Sequence, residues 1–195
     1  VMNPSETTVG ELFLQNGYCT GYFGKWHNGS VYPETPDGQG FEEFTGFPYG
    51  HITRYFDPVL EHNGQPVQKT GYITDILTDE AIGFIETATR SGNPFFCFLS
   101  YNAPHTPVMA PQELFQKYKQ RDPGLTDQNA GIYAMCESLD RNIGRLLSEL
   151  EKRGLKENTL VIFMTDNGPI YGRYNAGLKG VKAQSHEGGI RVPCF

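Results

Sequence analysis

Phe95-Phe96-Cys97-Phe98-Leu99-Ser100-Tyr101 is a near-continuous apolar run of strand length. Such a run reads as a strand buried on both faces of a parallel sheet. Upstream, Ile76, Leu77, Ile82, Phe84 and Ile85 mark a helix over Ile73 to Arg90, interrupted by Gly83. Downstream, after a loop from Asn102 to Pro111, the residues Ile132, Cys136, Leu139, Ile143, Leu146 and Leu150 recur at spacings of three and four. They form one stripe of a long helix from Gln128 to Arg153, closed by Gly154.

Farther out, Tyr18 to Gly24 and Leu160 to Thr165 read as strands, the second as another buried one. Ser5 or Thr7 caps a short opening helix through Leu12 and Leu14, stopped by Asn16-Gly17. Residues 25–50 are rich in Gly, Pro and aromatics without a period and read as a long loop. Tyr55 to Leu60 and Pro66 to Thr70 flank His62-Asn63-Gly64, a hairpin signal. Strands alternating with helices predict an α/β fold with a mostly parallel sheet flanked by helices. Ligands of such sheets sit at the carboxyl ends of the strands. Polar clusters follow three of the strands there: Lys25/His27, His105 and Asp166/Asn167.

The 195 residues are 38% hydrophobic and 19% charged, with a formal net charge of −6. Charge runs and low-complexity tracts are absent, which excludes a disordered chain. An excess of 22 acidic over 16 basic residues argues against a nucleic-acid binder. The longest strongly apolar stretch, around Phe95 to Leu99, falls far short of a membrane span. Cys19, Cys97, Cys136 and Cys194 lie far apart, so zinc or redox use is not expected, and Cys97 and Cys136 read as plain buried thiols. Val1-Met2-Asn3-Pro4 reads as a cut into a longer sequence.

Asp166-Asn167 offers a carboxylate and an amide oxygen, donors that Ca²⁺ or Mg²⁺ favour, although Asp-Asn-Gly is also a common turn. Lys25 and His27 lie two apart, so an extended backbone would send both to one side, a compact positive charge beside a proton carrier. A surface lysine beside a packed Trp26 and His27 is the competing reading. His105 is flanked by Pro104 and Pro107, which suits either a site residue or a satisfied structural histidine. Lys182 follows a glycine-rich approach, and Glu187-Gly188-Gly189 suggests a tight turn; a flexible surface loop with a solvated charge is the competing reading. His51 and His62 read as ordinary surface residues. Two lysines, two histidines and an oxygen-ligated cation together suit a tetrahedral oxyanion whose leaving oxygen departs.

Gly17-Tyr18 through Gly24-Lys25-Trp26-His27, the Pro104-His105 loop, Leu139-Asp140-Arg141, Thr165-Asp166-Asn167-Gly168-Pro169 and Lys182 to Pro193 stand in the order of a known family. Over essentially its whole length the chain resembles a sulfatase of the arylsulfatase type, in the alkaline-phosphatase-like superfamily. The resemblance implies hydrolysis of sulfate esters through a formylglycine made from Cys or Ser, with Ca²⁺ at the site. By position it implies that Asp166 and Asn167 ligate the metal and that Lys25, His105 and Lys182 hold the sulfate group. His27 matches the histidine beside the formylglycine hydroxyl, a proton acceptor when the covalent sulfate is released. The family's Cys/Ser-x-Pro/Ala-x-Arg motif and early aspartate pair would lie upstream, and its C-terminal subdomain downstream.

Residues 1–195 are thus expected to be the middle of a single catalytic domain, incomplete at both ends and inactive alone. The implied partners are a sulfated small molecule or a sulfated glycan, and the implied locations are periplasmic, extracellular or lysosomal. Asn28-Gly29-Ser30 is a glycosylation sequon, but a glycan beside the site would obstruct it, so it reads as coincidence. Two other readings stay open: a phosphate or phosphonate monoester hydrolase of the same superfamily, and a non-catalytic homologue that binds sulfated glycans. His186 stands where an aromatic residue is common and has no assigned role.

Overall fold

The computed structural model describes residue 3 and residues 5–170 and 173–195. The chain forms two compact units, Val1–Lys152 and Arg153–Phe195. No helix among the described residues is long and apolar enough to cross a membrane.

The first unit is built on five strands: β1 (Cys19–Lys25), β2 (Glu43–Phe47), β3 (Val59–His62), β4 (Gln65–Gln68) and β5 (Phe95–Ser100), in the order β4-β3-β2-β1-β5. β1 is the central parallel strand, with β2 on one side and β5 on the other. The β3–β4 hairpin then extends the sheet antiparallel from β2. The expected mostly parallel sheet is therefore mixed. The reason is local: Asn63 and Gly64 both take positive φ, the conformation of a two-residue hairpin turn, and so reverse the chain. β2 is a further departure, a strand inside the segment 25–50 that reads as loop from its composition.

Helices cover both faces. α1 (Val9–Gln15) starts at Thr8 rather than at Ser5 or Thr7. The Thr8 side chain accepts from the Glu11 N–H while the Glu11 carboxylate accepts from the Thr8 N–H, a complete capping box. Its Phe13 stacks on Phe96, on the face where Tyr22, Trp26, Phe41 and Phe44 form one buried cluster. α2 (Ile73–Arg90) matches its expected bounds and packs on the opposite face, with Phe84 against Phe23. Ile73, Ile76 and Leu77 of α2 join Phe47, Tyr55, Leu60, Tyr72, Ala103 and Met135 in the larger cluster. Each aliphatic side chain buried this fully contributes about 1.5–3 kcal/mol. β5, expected to be buried on both faces, is an outer strand with Phe98 exposed and the rest half-buried. Its Cys97 is half-buried, and burial pushes the thiol up to about 12.

Two helices complete this unit: α3 (Gln112–Arg121), which carries no strong sequence signal, and α4 (Asp127–Lys152). Ile132 and Leu150 at the ends of the expected α4 stripe are buried, but between them the buried face runs through Met135, Ser138 and Asn142 rather than Cys136, Leu139, Ile143 and Leu146. Cys136 is exposed, contrary to the buried thiol expected, and Leu139, Ile143 and Leu146 are half-buried. Close packing and a buried polar tie set this rotation. A Cβ on Gly131 would lie 2.4 Å from Val108 Cγ1. Asn142, only 2% exposed, donates to Asp75 of α2 at 2.6 Å and to the Ser138 carbonyl at 2.9 Å.

In the second unit the expected strand over Leu160–Thr165 does not form. Only Met164 bridges Cys194, while Phe163 and Phe195 exchange two backbone hydrogen bonds at 2.9 Å. Leu160 is 86% and Ile162 61% exposed, so the apolar run is extended chain without a ladder among the described residues. The expected turn at Glu187-Gly188-Gly189 is instead a one-turn helix, α5 (Glu187–Ile190).

Candidate active site

The parallel strands β1 and β5 end side by side, with Gly24 opposite Ser100. A Cβ on Gly24 would lie 1.9 Å from the Ser100 carbonyl oxygen, so only glycine permits this approach. Two hydroxyls then converge on the Lys25 carbonyl: Tyr22 donates at 2.5 Å and Ser100 at 2.9 Å. Burial pushes the Tyr22 phenol up to about 12, which keeps it a donor. The half-buried Lys25 is thereby fixed at the strand end.

β1 stops there, and His27 does not share the side of an extended strand with Lys25 as expected. Its φ is +59°, in the left-handed region, which costs a β-carbon residue roughly 1–2 kcal/mol. The surroundings hold it: the His27 N–H donates to the Pro48 carbonyl at 3.1 Å, and its imidazole lies over Gly50. A Cβ on Gly50 would come within 2.3 Å of His27 Nε2. Trp26 is buried, and its indole N–H donates to the Glu34 carbonyl at 2.7 Å, which anchors the turn from beneath.

His105 follows β5 and is half-buried. Its Nδ1 lies 2.7 Å from the Thr106 carbonyl, which only accepts, so Nδ1 carries a proton and Nε2 is left to face a ligand. Two buried tyrosines hold this loop. Tyr55 donates to the His105 carbonyl at 2.8 Å, and Tyr72 donates to the Met109 carbonyl at 2.9 Å. Burial raises the pKa of both phenols. His51 is exposed, yet its ring stands 6.1 Å, centroid to centroid, from that of His105 at 72°. Sequence reasoning missed Tyr55, Ser100 and this placement of His51. The other histidine read as a surface residue, His62, is tied to Thr45 at 3.0 Å and Glu43 at 3.5 Å.

The second unit holds Asp166, Asn167 and Lys182. Asp166 is exposed; Asn167 is half-buried and spends its amide N–H on the Gly168 carbonyl at 2.8 Å, which leaves its oxygen as the donor atom for a cation. The Lys182 N–H donates to the Pro169 carbonyl at 2.8 Å, and the Gly168 N–H to Gly189 at 2.9 Å, so the lysine loop folds back on the Asp-Asn turn. A carboxylate and an amide oxygen fit a hard cation chemically, but they are two donors where such a cation takes six or more. No group of three or more His, Cys, Asp or Glu residues that could hold a metal occurs among the described residues. His186 precedes α5 with no side-chain capping bond. The structure thus brings Lys25, His27 and His105 to one strand end, and Asp166, Asn167 and Lys182 to one loop pair.

Similarity to known proteins runs the length of the chain. The Escherichia coli (strain K12) protein "Uncharacterized sulfatase YdeN" is 34% identical over 98% of this chain and 38% of its own length. Human "Arylsulfatase A" is 31% identical over 97% of this chain and 42% of its own. The chain therefore spans about two-fifths of the curated relatives it matches. The solved "Ps i-CgsB in complex with k-i-k-neocarrahexaose" superposes with a TM-score of 0.91 at 34% identity, covering 98% of this chain and 47% of that one. The sulfatase family model matches residues 3–195, and with that match the mixed sheet, its helices and the ordered motifs establish the chain as a member of the sulfatase family, in which a metal cofactor is expected.

Proposed function

We propose that this chain carries part of the active site of a sulfuric ester hydrolase. The observation that carries the reading is the convergence at the ends of β1 and β5: Lys25 anchored through its carbonyl by two hydroxyls, His105 anchored through Nδ1 with Nε2 left to face a ligand, and His27 held against Gly50. In this reading Lys25, Lys182 and His105, the last as the imidazolium donating from Nε2, hold the sulfate oxygens and offset the charge that grows as the ester bond breaks. His27 takes a proton when covalently held sulfate is released. Asp166 and Asn167 supply two oxygens to Ca²⁺, with Mg²⁺ as the other candidate ion. The metal and the family's formylglycine would supply charge polarisation and the nucleophilic hydroxyl when present. Cys97, desolvated and protonated, is unsuited to act as a nucleophile itself.

The substrate class is a sulfated glycan, met in an extracytoplasmic compartment. The complex of Ps i-CgsB with k-i-k-neocarrahexaose supports that class. A phosphate or phosphonate monoester hydrolase is the second reading. The cationic Lys25 and Lys182 favour sulfate, because two-metal relatives need acidic and histidine ligands in such positions. Rates of the full-length protein on p-nitrophenyl sulfate and p-nitrophenyl phosphate, with Ca²⁺, decide between them. Faster hydrolysis of the sulfate is expected; preference for the phosphate overturns the reading.

A further inference from the structure

The segment 48–51 is wedged between two histidines of the proposed site. Its Pro48 carbonyl accepts from the His27 N–H, Gly50 underlies the His27 ring, and His51 stands edge-on to His105. A Cβ at position 50 would displace the His27 imidazole, so the backbone passes close beneath His27, and the next side chain stands beside His105. Lys25 and His105 are half-buried, whereas His27 and His51 are exposed.

A sulfate group gripped by Lys25 and His105 must project its alcohol portion toward solvent, where His51 stands. Resting on the sulfate-ester reading, we propose that His51 is a specificity-determining residue that hydrogen-bonds to a hydroxyl or second anionic substituent on the sugar bearing the sulfate. A flat aryl sulfate lacks that substituent and leaves the imidazole without a partner. His51 therefore discriminates between substrates by their alcohol portion, while the sulfate is held by the residues beneath it.

The test uses the full-length protein and the His51→Ala and His51→Gln variants. kcat and KM are measured on p-nitrophenyl sulfate and on a panel of sulfated galactose and N-acetylglucosamine oligosaccharides. The ratio of kcat/KM for the best sugar sulfate to that for the aryl sulfate should fall about tenfold in His51→Ala, the worth of one good hydrogen bond, chiefly through KM. His51→Gln, which keeps a donor, should recover part of that ratio, and the melting temperature should not move, because the side chain is exposed. An unchanged ratio overturns the proposal while leaving the sulfate-ester reading intact. Wild-type protein inactive on every sulfate ester overturns that reading instead. Calorimetric affinity for the same sulfated oligosaccharides then judges His51 separately: weaker binding by His51→Ala supports its contact, and equal binding removes it.

Discussion

Phe95–Ser100 and Leu160–Thr165 are two apolar runs of similar length, each leading into a polar motif of the proposed site, yet only the first is a strand. β5 has β1 beside it in a six-residue parallel register, from Cys19 opposite Phe95 to Gly24 opposite Ser100. Among the described residues, Leu160–Thr165 finds only the short Cys194–Phe195 segment, and Leu160, Val161, Ile162 and Met164 face solvent. An apolar run records a tendency to be buried; a neighbour with free N–H and C=O groups turns it into a strand. At the paired ends of β1 and β5 the Ser100 hydroxyl accordingly crosses to the Lys25 carbonyl. The groups after Thr165 are held by short-range loop bonds such as Lys182 N–H to Pro169.

The largest expected effect falls on the loop-held half. Lys182→Ala in the full-length protein should lower kcat on a sulfate ester by roughly 10²–10³, about 3–4 kcal/mol, as for a deleted oxyanion donor. Lys182→Arg should recover little, since a planar fork does not replace a compact ammonium. Near-normal turnover in either variant would detach Lys182 from the chemistry.

The stability contrast between the two regions is next. Leu77, fully buried in the main cluster, should cost about 3 kcal/mol on truncation to alanine. Ile162→Ala, at a position 61% exposed, should stay within about 0.5 kcal/mol in the 195-residue chain. Urea unfolding of both variants measures the difference directly. Equal losses would mean that Leu160–Thr165 is packed as tightly as the sheet.

Tyr55→Phe probes the strand-held half. It deletes the donor to the His105 carbonyl and keeps the buried ring, for about 1 kcal/mol. KM for a sulfate ester should rise several-fold with little change in kcat if the hydroxyl positions His105. A change in melting temperature alone would reduce Tyr55 to a packing residue.

Where sequence and structure agree, one signal dominates locally. α2 is readable at both ends because its apolar spacing carries through to Arg90, and the hairpin because Asn63-Gly64 suits a single turn geometry. β2 is illegible: Glu43–Phe47 contains Gly46 and is surrounded by Gly and Pro, so its strand character comes from pairing with Gly21–Lys25. The middle of the α4 face eludes hydropathy because small Gly131 and polar Ser138 and Asn142 are buried there, residues that an apolar stripe does not count. Of the site, each motif is visible in sequence. The positive φ of His27 and the approach of His51 to His105 depend on a loop path through Gly50 that no periodicity encodes.

The smallest expected effect lies on the outer helices of the first unit, where a charge cluster joins α3 to α4 beside the buried Leu114. Lys117 places its ammonium 2.8 Å from both oxygens of Glu137, and Tyr118 and Arg141 add hydrogen bonds. Lys117 chiefly holds the Glu137 carboxyl below its ordinary value. A carboxyl lowered in the folded state binds fewer protons there than in the unfolded chain, so it stabilises the fold above the ordinary value of about 4.3. That contribution disappears as pH falls through the lower folded value. The pair is solvent-accessible, so screening keeps it small. Melting temperatures of the wild type and Glu137→Gln should therefore differ slightly at pH 6–7, in favour of the wild type. They should converge on acidification, and the gap at neutral pH should shrink in 1 M NaCl. A gap that persists at pH 3 or resists salt would show that α3 is held by packing of Leu114 and the Tyr118–Tyr133 rings. In that case the outer helices would obey the same rule as the sheet, with burial deciding and charge following.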